Sequence, residues 1–124
     1  IGKSVSIITY GRGVYWSLES AMDFKDMVEI IDLRTLYPID EELIITSVKN
    51  HGKCLILTEE PSLNSFAQSL ASRISQQCFQ FLDAPVLVLG SENLPAIPLN
   101  EDLESQMIPN KFKVSSKIKE LLDY

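Results

Sequence analysis

Short runs of β-branched and aliphatic residues alternate along this chain with segments whose apolar positions recur every three or four residues. Val5-Ser-Ile-Ile-Thr-Tyr10, Val28-Glu-Ile-Ile-Asp32, Cys54-Leu-Ile-Leu-Thr58 and Val86-Leu-Val-Leu89 read as strands. Gly11-Arg-Gly13 stops the first and Gly90-Ser91 the last. A helix is predicted from about Val14 to Phe24, with Val14, Leu18, Ala21 and Met22 on its inward face. Pro38 forbids a simple continuation of the second strand. Asp40 then caps a second helix whose first turn holds Glu41 and Glu42, where carboxylates favour the helix dipole. That helix carries Leu43, Ile44 and Val48 inward and ends near Asn50-His51-Gly52, a C-cap signal. Asn64 or Ser65 opens a third helix with Phe66, Leu70, Ala71 and Ile74 at helical spacing. A last helix runs from about Val114 with Ile118, Leu121 and Leu122 apolar. Glu92 to Asn110 has no clear period and reads as an ordered connection.

Strands alternating with helices of this length make an α/β fold, a parallel sheet covered by helices on both faces. The strands are almost continuously apolar, as strands buried on two sides must be. No repeat or linker interrupts the pattern, so residues 1–124 read as one domain, long enough to bury roughly two-thirds of its unfolded surface. The chain opens on Ile1-Gly2-Lys3 rather than methionine and reads as a piece of a longer polypeptide.

A net charge of −6 argues against nucleic acid, which calls for basic stripes. No apolar run approaches the roughly 20 residues of a membrane span, and no signal peptide is visible. Cys54 and Cys78 form no Cys-x-x-Cys pair, which fits two buried, reduced thiols in a cytoplasmic protein. His51 is the single histidine, leaving little for a His-centred zinc site or a Ser-His-Asp triad.

Ligands of open parallel sheets gather at the carboxyl ends of the strands. Here those ends present Gly11-Arg12-Gly13, Asp32 with Arg34, Glu59 with Glu60, and Ser91-Glu92. Gly11-x-Gly13 is half of a dinucleotide loop, but position 16 is Trp where a third glycine is needed. Glu59 and Glu60 are adjacent on an extended strand and point to opposite faces, which is no arrangement for paired acid-base work. One of them is expected to cap or pair near Arg12 or Arg34. Asp32, Arg34, Asp40, Glu59 and Glu60 are therefore read as a structural cluster, with no catalytic, cofactor or metal residue in the domain.

The strings Ile7-Ile-Thr-Tyr-Gly11, Val28 to Asp40 with its Asp-Leu-Arg-Thr-Leu-x-Pro-x-Asp, Thr58-Glu-Glu60 and Phe81-Leu-Asp-Ala-Pro85 occur in this order. In them the chain resembles, over essentially its whole length, the carboxy-terminal domain of the beta subunit of thiamine-diphosphate-dependent 2-oxo acid dehydrogenases. That domain's fold is shared with transketolase. The resemblance implies a three-layer α/β/α domain with four parallel strands in the order 2-1-3-4, the family's antiparallel edge strand falling before this chain begins. It implies a parent enzyme that decarboxylates a 2-oxo acid on thiamine diphosphate and Mg and passes the acyl group to lipoamide. The cofactor is then held elsewhere, between the alpha chain and the amino-terminal part of the beta chain, and this domain alone is inactive. Implied partners are the alpha chain, a second beta subunit, and the peripheral subunit-binding domain of the dihydrolipoyl acyltransferase core. The docking surface carries over to Asp83 and to Tyr124 as the terminal carboxylate. Read on its own, Asp83 is a turn residue before Ala84-Pro85. Leu63-Asn-Ser-Phe66 departs from the family's glycine-rich helix opening, and Pro95-Ala-Ile-Pro-Leu99 from its Pro-x-Pro-Tyr. Two alternatives remain: the corresponding domain of a transketolase or deoxyxylulose-phosphate synthase, and an independent regulatory or nucleotide-binding module.

Overall fold

In a computed structural model, which describes residues 4–24, 26–33, 41–61, 66–91 and 110–124, strands and helices alternate as the pattern requires. The strands are β1 (Val5–Thr9), β2 (Val28–Asp32), β3 (Cys54–Pro61) and β4 (Leu87–Ser91). The helices are α1 (Arg12–Ala21), α2 (Glu41–His51), α3 (Phe66–Gln77) and α4 (Lys111–Leu122), with a 3₁₀ turn at Phe79–Phe81. The four strands form one parallel sheet in the expected order, β2-β1-β3-β4.

Side-chain alternation divides the core between the two faces of the sheet. Ile8, Ile31, Cys54 and Ile56 pack with Ile44 and Val48 of α2 and Leu70 and Ile74 of α3. Val5, Ile7, Leu55 and Leu57 pack with Trp16 of α1 and Val114, Ile118 and Leu121 of α4. Three layers result. β1 and β3 lie inside and are almost wholly buried, whereas β2 is an edge strand with Glu29 and Asp32 exposed.

The inward face of α1 is not the expected one. Its buried residues are Gly13, Trp16, Ser17 and Ser20. Leu18 and Met22 are 53% and 76% exposed, and Val14 and Ala21 are only half-buried. Distance of approach explains the inversion. A Cβ on Gly13 would sit 1.9 Å from Thr9 Oγ1 and 3.3 Å from Leu57, so the helix lies too close to the sheet there for a larger residue. Ser20 Oγ donates to Lys111 O at 3.0 Å and joins α1 to the start of α4. Small residues let the backbones meet, and Trp16 supplies the apolar filling.

Other boundaries move less. Helix α1 starts at Arg12 rather than Val14, and Leu43 of α2 is exposed while Ile44 and Val48 are buried. β3 runs past Thr58 to Pro61, through an irregularity in its pairing with β4 between Leu57 and Pro61. β4 starts one residue later than expected and takes in Gly90-Ser91, the pair read as its stop, because it pairs onward with the longer β3. Helix α4 begins at Lys111 because Asn110 caps it, its side chain accepting from Lys113 N at 2.9 Å. The C-cap at Gly52 is as expected, with φ +77° and its N–H on Val48 O at 2.8 Å. Arg34, the Asp40 cap, Asn64, Ser65 and the 92–109 connection lie outside the described residues.

Candidate functional site

Every α/β crossover returns the chain to the amino end of the sheet, so the residues between a helix and its next strand collect there. His51-Gly52-Lys53, between α2 and β3, and Leu82 to Val86, ahead of β4, are such segments. They meet directly. Asp83 donates its backbone N–H to Gly52 O at 2.7 Å. A Cβ built on Gly52 would lie 2.6 Å from Asp83 Oδ2 and 3.2 Å from Phe81 O. Positive φ and this close approach both demand glycine at position 52. Asp83 itself is exposed and borders a groove lined by Ser75, Phe79, Leu82, Ala84, Pro85 and Val86. Lys49 lies over the Phe81 ring at 5.0 Å on the same end.

The residues on either side of Gly52 reach elsewhere. Lys53 is only 2% exposed, and its Nζ donates to Leu122 O, the last carbonyl of α4, at 3.4 Å. The cation therefore stands against the negative end of that helix. Tyr124 follows two residues on, exposed, with its N–H on Leu121 O at 3.2 Å. Asp83 and the end of α4 are thus each one hydrogen bond from the Gly52-Lys53 dipeptide.

His51 joins the same end to the edge strand. Its Nδ1 is 2.5 Å from Ser4 Oγ, and its Nε2 is 3.3 Å from Glu29 Oε1. The Glu29 carboxylate also accepts from Ser47 Oγ, which is 2.6 Å from the buried Ser6 Oγ. A serine, a histidine and a glutamate are therefore brought together, which composition alone did not foresee. The array continues through Ser47 to Ser6 and ties β1, β2 and the last turn of α2 into one piece. It reads as a tether. Helix end and strand starts adjoin in any right-handed crossover, so topology was the signal that could have found it.

The carboxyl end is built differently. Glu59 Oε1 accepts from the Arg12 backbone N–H at 3.4 Å, the capping role expected of one of the two glutamates. The carboxylate also closes over Gly11, whose φ of +60° leaves a built Cβ 3.0 Å from Glu59 Oε1. The Arg12 guanidinium stacks over Trp16 at 5.2 Å. Asp32 joins Gly11, Arg12, Val14, Tyr15 and Glu59 around one shallow depression. Asp32 and Glu59 are thus brought together, whereas Arg34 and Asp40 and the Glu60 side chain lie outside the described residues. The two glycines serve a turn and a close packing contact, and a buried indole occupies the position a dinucleotide loop gives to its third glycine.

Among the described residues no group of three or more His, Cys, Asp or Glu side chains is placed to hold a metal ion. None of the described helices is long and apolar enough to cross a membrane. Cys54 and Cys78 are buried and free, and burial pushes both thiols up from their ordinary range.

Residues 1–114 match the family model described as transketolase, C-terminal domain. The chain is 35% identical, over 99% of its length, to the 2-oxoisovalerate dehydrogenase subunit beta of Bacillus subtilis, covering 38% of that protein. It is 33% identical, over 95% of its length, to the pyruvate dehydrogenase E1 component subunit beta of Rhizobium meliloti, covering 26% of it. It is also 33% identical, over 93% of its length, to the acetoin:2,6-dichlorophenolindophenol oxidoreductase subunit beta of Cupriavidus necator, covering 35%. The chain thus spans about a third of the length of these relatives.

Proposed function

The chain belongs to the transketolase C-terminal domain family, and from that membership we propose that it serves as the assembly and docking domain of a 2-oxo acid dehydrogenase beta subunit. The parent enzyme in this reading carries out oxidative decarboxylation of a 2-oxo acid with acyl transfer to lipoamide. The domain holds that enzyme to its alpha chain, to a second beta subunit and to the acyltransferase core. The relatives' names span two 2-oxo acids and acetoin, as suits a domain that does not form the substrate pocket.

The observation that carries the docking half is the placement of Asp83, exposed, backbone-anchored on Gly52 and on the same end of the sheet as the close of α4. A basic subunit-binding domain approaching a protein of net charge −6 is steered there by long-range attraction and anchored by a charge-assisted hydrogen bond. The assembly half draws support from α1, whose outer face sets Tyr15, Leu18 and Met22 in one exposed apolar stripe. Such a stripe suits a subunit contact.

Thiamine diphosphate and Mg belong to the parent enzyme in this reading, and the residues described here do not fit them. The one glycine turn that resembles a diphosphate cradle is closed by the Glu59 carboxylate, and Asp32 adds a second negative group beside it. No chemical step is assigned to this domain. The test is a split between two activities of the parent enzyme carrying Asp83→Asn. Decarboxylation measured with an artificial electron acceptor is expected to keep its wild-type rate, while overall activity with the acyltransferase core falls at limiting enzyme. Loss of both in parallel, or of neither, would contradict the assignment.

A further inference from the structure

Among the described residues Lys53 is the only buried lysine or arginine. Taking an ammonium group out of water is costly unless hydrogen bonds and opposite charge replace the lost solvation. Here the replacement comes from the end of α4. The last carbonyls of a helix have no partner within it and carry partial negative charge. In α4 the chain itself satisfies two of them, Asp123 N–H reaching Lys119 O and Leu121 O and Tyr124 N–H reaching Leu121 O. Leu122 O is taken by Lys53 Nζ.

The backbone of Lys53 is held just as firmly. Its carbonyl accepts from Ser6 N at 2.9 Å, which registers it against β1. The preceding residue, Gly52, carries Asp83. A rigid dipeptide on the sheet thus grips the Asp83 turn by its backbone and the end of α4 by a side chain.

We propose that Lys53 is a positioning residue for partner docking, fixing Asp123 and Tyr124 at the end of α4 in register with Asp83 so that one acidic face meets a basic partner domain. The proposal rests on the docking reading above and adds a residue that does not itself touch the partner. Without the ammonium, Leu122 O loses its partner and the last turn of α4 frays. Asp83 keeps its anchor on Gly52, and the two halves of the face lose their common geometry.

The test uses the full parent beta subunit in its assembly, titrated with the basic subunit-binding domain. Lys53→Met keeps the buried stem and removes the charge; affinity is expected to fall about five- to tenfold, the scale of a cation at a partly buried helix end. Amide hydrogen exchange at Asp123 and Tyr124 is expected to accelerate in the same variant, while exchange in β1 stays slow. Lys53→Arg should recover part of both readouts, since it returns a positive charge to the same carbonyl while having to fit a larger head group into a buried site. If Lys53→Met does not fold, Lys53→Gln keeps a neutral donor and is expected to give an intermediate loss. Unchanged exchange at Asp123 and Tyr124 would overturn the proposal whatever the affinity does. Faster exchange with unchanged affinity, where Asp83→Asn weakens binding, would overturn Lys53's part in docking and leave Asp83 in place. If Asp83→Asn also binds like wild type, the docking reading beneath the proposal fails with it.

Discussion

At the carboxyl end of the sheet, Glu59 turns back onto the Arg12 peptide and closes a glycine turn; at the amino end, Asp83 stays exposed on a backbone anchor at Gly52. Both are carboxylates beside a glycine of positive φ. The first is turned onto the fold, accepting from the Arg12 N–H that opens α1. The second has its backbone held on Gly52 while its side chain stays exposed, as the docking reading requires. Open parallel sheets usually keep ligands at the carboxyl end, and the docking reading proposed above puts the working surface at the other. In that reading the carboxyl-end turn serves as structure, with Glu59 closed over Gly11.

The largest effect that separates the two ends is expected from Gly13→Ala. The added methyl would strike Thr9 and Leu57, and overpacking of this kind costs about 2–3 kcal/mol. Thermal or denaturant unfolding should show that loss, while partner affinity per folded molecule stays unchanged. Equal damage to docking would mean that the two ends are not separable. Gly52→Ala should cost about 1–2 kcal/mol for a left-handed backbone on an L-residue. Unlike Gly13→Ala it should also weaken partner binding, because the new Cβ would displace the Asp83 carboxylate.

The amino end is also dry where β3 begins. Cys54 is fully buried and its thiol is pushed well above the usual range, first by desolvation and then by Cys78. A raised folded-state pKa contributes stability that is fully present below the ordinary thiol value and is lost as pH rises beyond it. Unfolding free energy should therefore decline above about pH 9, by no more than about 1.4 kcal/mol per pH unit for one proton. Cys54→Ala should flatten that decline. A thiol reagent should label Cys54 only at the rate of unfolding. Smallest of all, Asp32→Asn at the exposed end of β2 should change stability by less than about 0.5 kcal/mol and leave docking untouched.

The strands were legible because both faces of the sheet are covered, so Val5 to Thr9 and Cys54 to Thr58 read as almost continuous apolar and β-branched runs. Their order followed from family resemblance rather than from any residue, since hydrophobic pattern carries no strand order. The face of α1 was misread for a physical reason. Periodicity weighs hydrophobicity, whereas α1 is seated by closeness, and the closest positions are Gly13, Ser17 and Ser20. Leu18 and Met22, read as core, are left outward beside Tyr15 on the face proposed for subunit contact. Lys53 was invisible for another reason. Beside Cys54 it reads as the polar flank of a strand, and its burial depends on a helix end 69 residues away. A cap or ion pair near Arg12 or Arg34 was expected of one of Glu59 and Glu60, and Glu59 takes it at the start of α1 because β3 lies beside β1 in the sheet. Asp83 alone suggested a turn, and only the resemblance gave it a partner.

The central claim is that docking resides at the amino end, on Asp83. The direct measurement is titration of the parent beta subunit with its basic subunit-binding domain at several salt concentrations, comparing wild type with Asp83→Asn. Loss of one charge-assisted hydrogen bond predicts weaker binding by about 1–2 kcal/mol and a shallower dependence on salt. Unchanged affinity together with an unchanged salt dependence would contradict it.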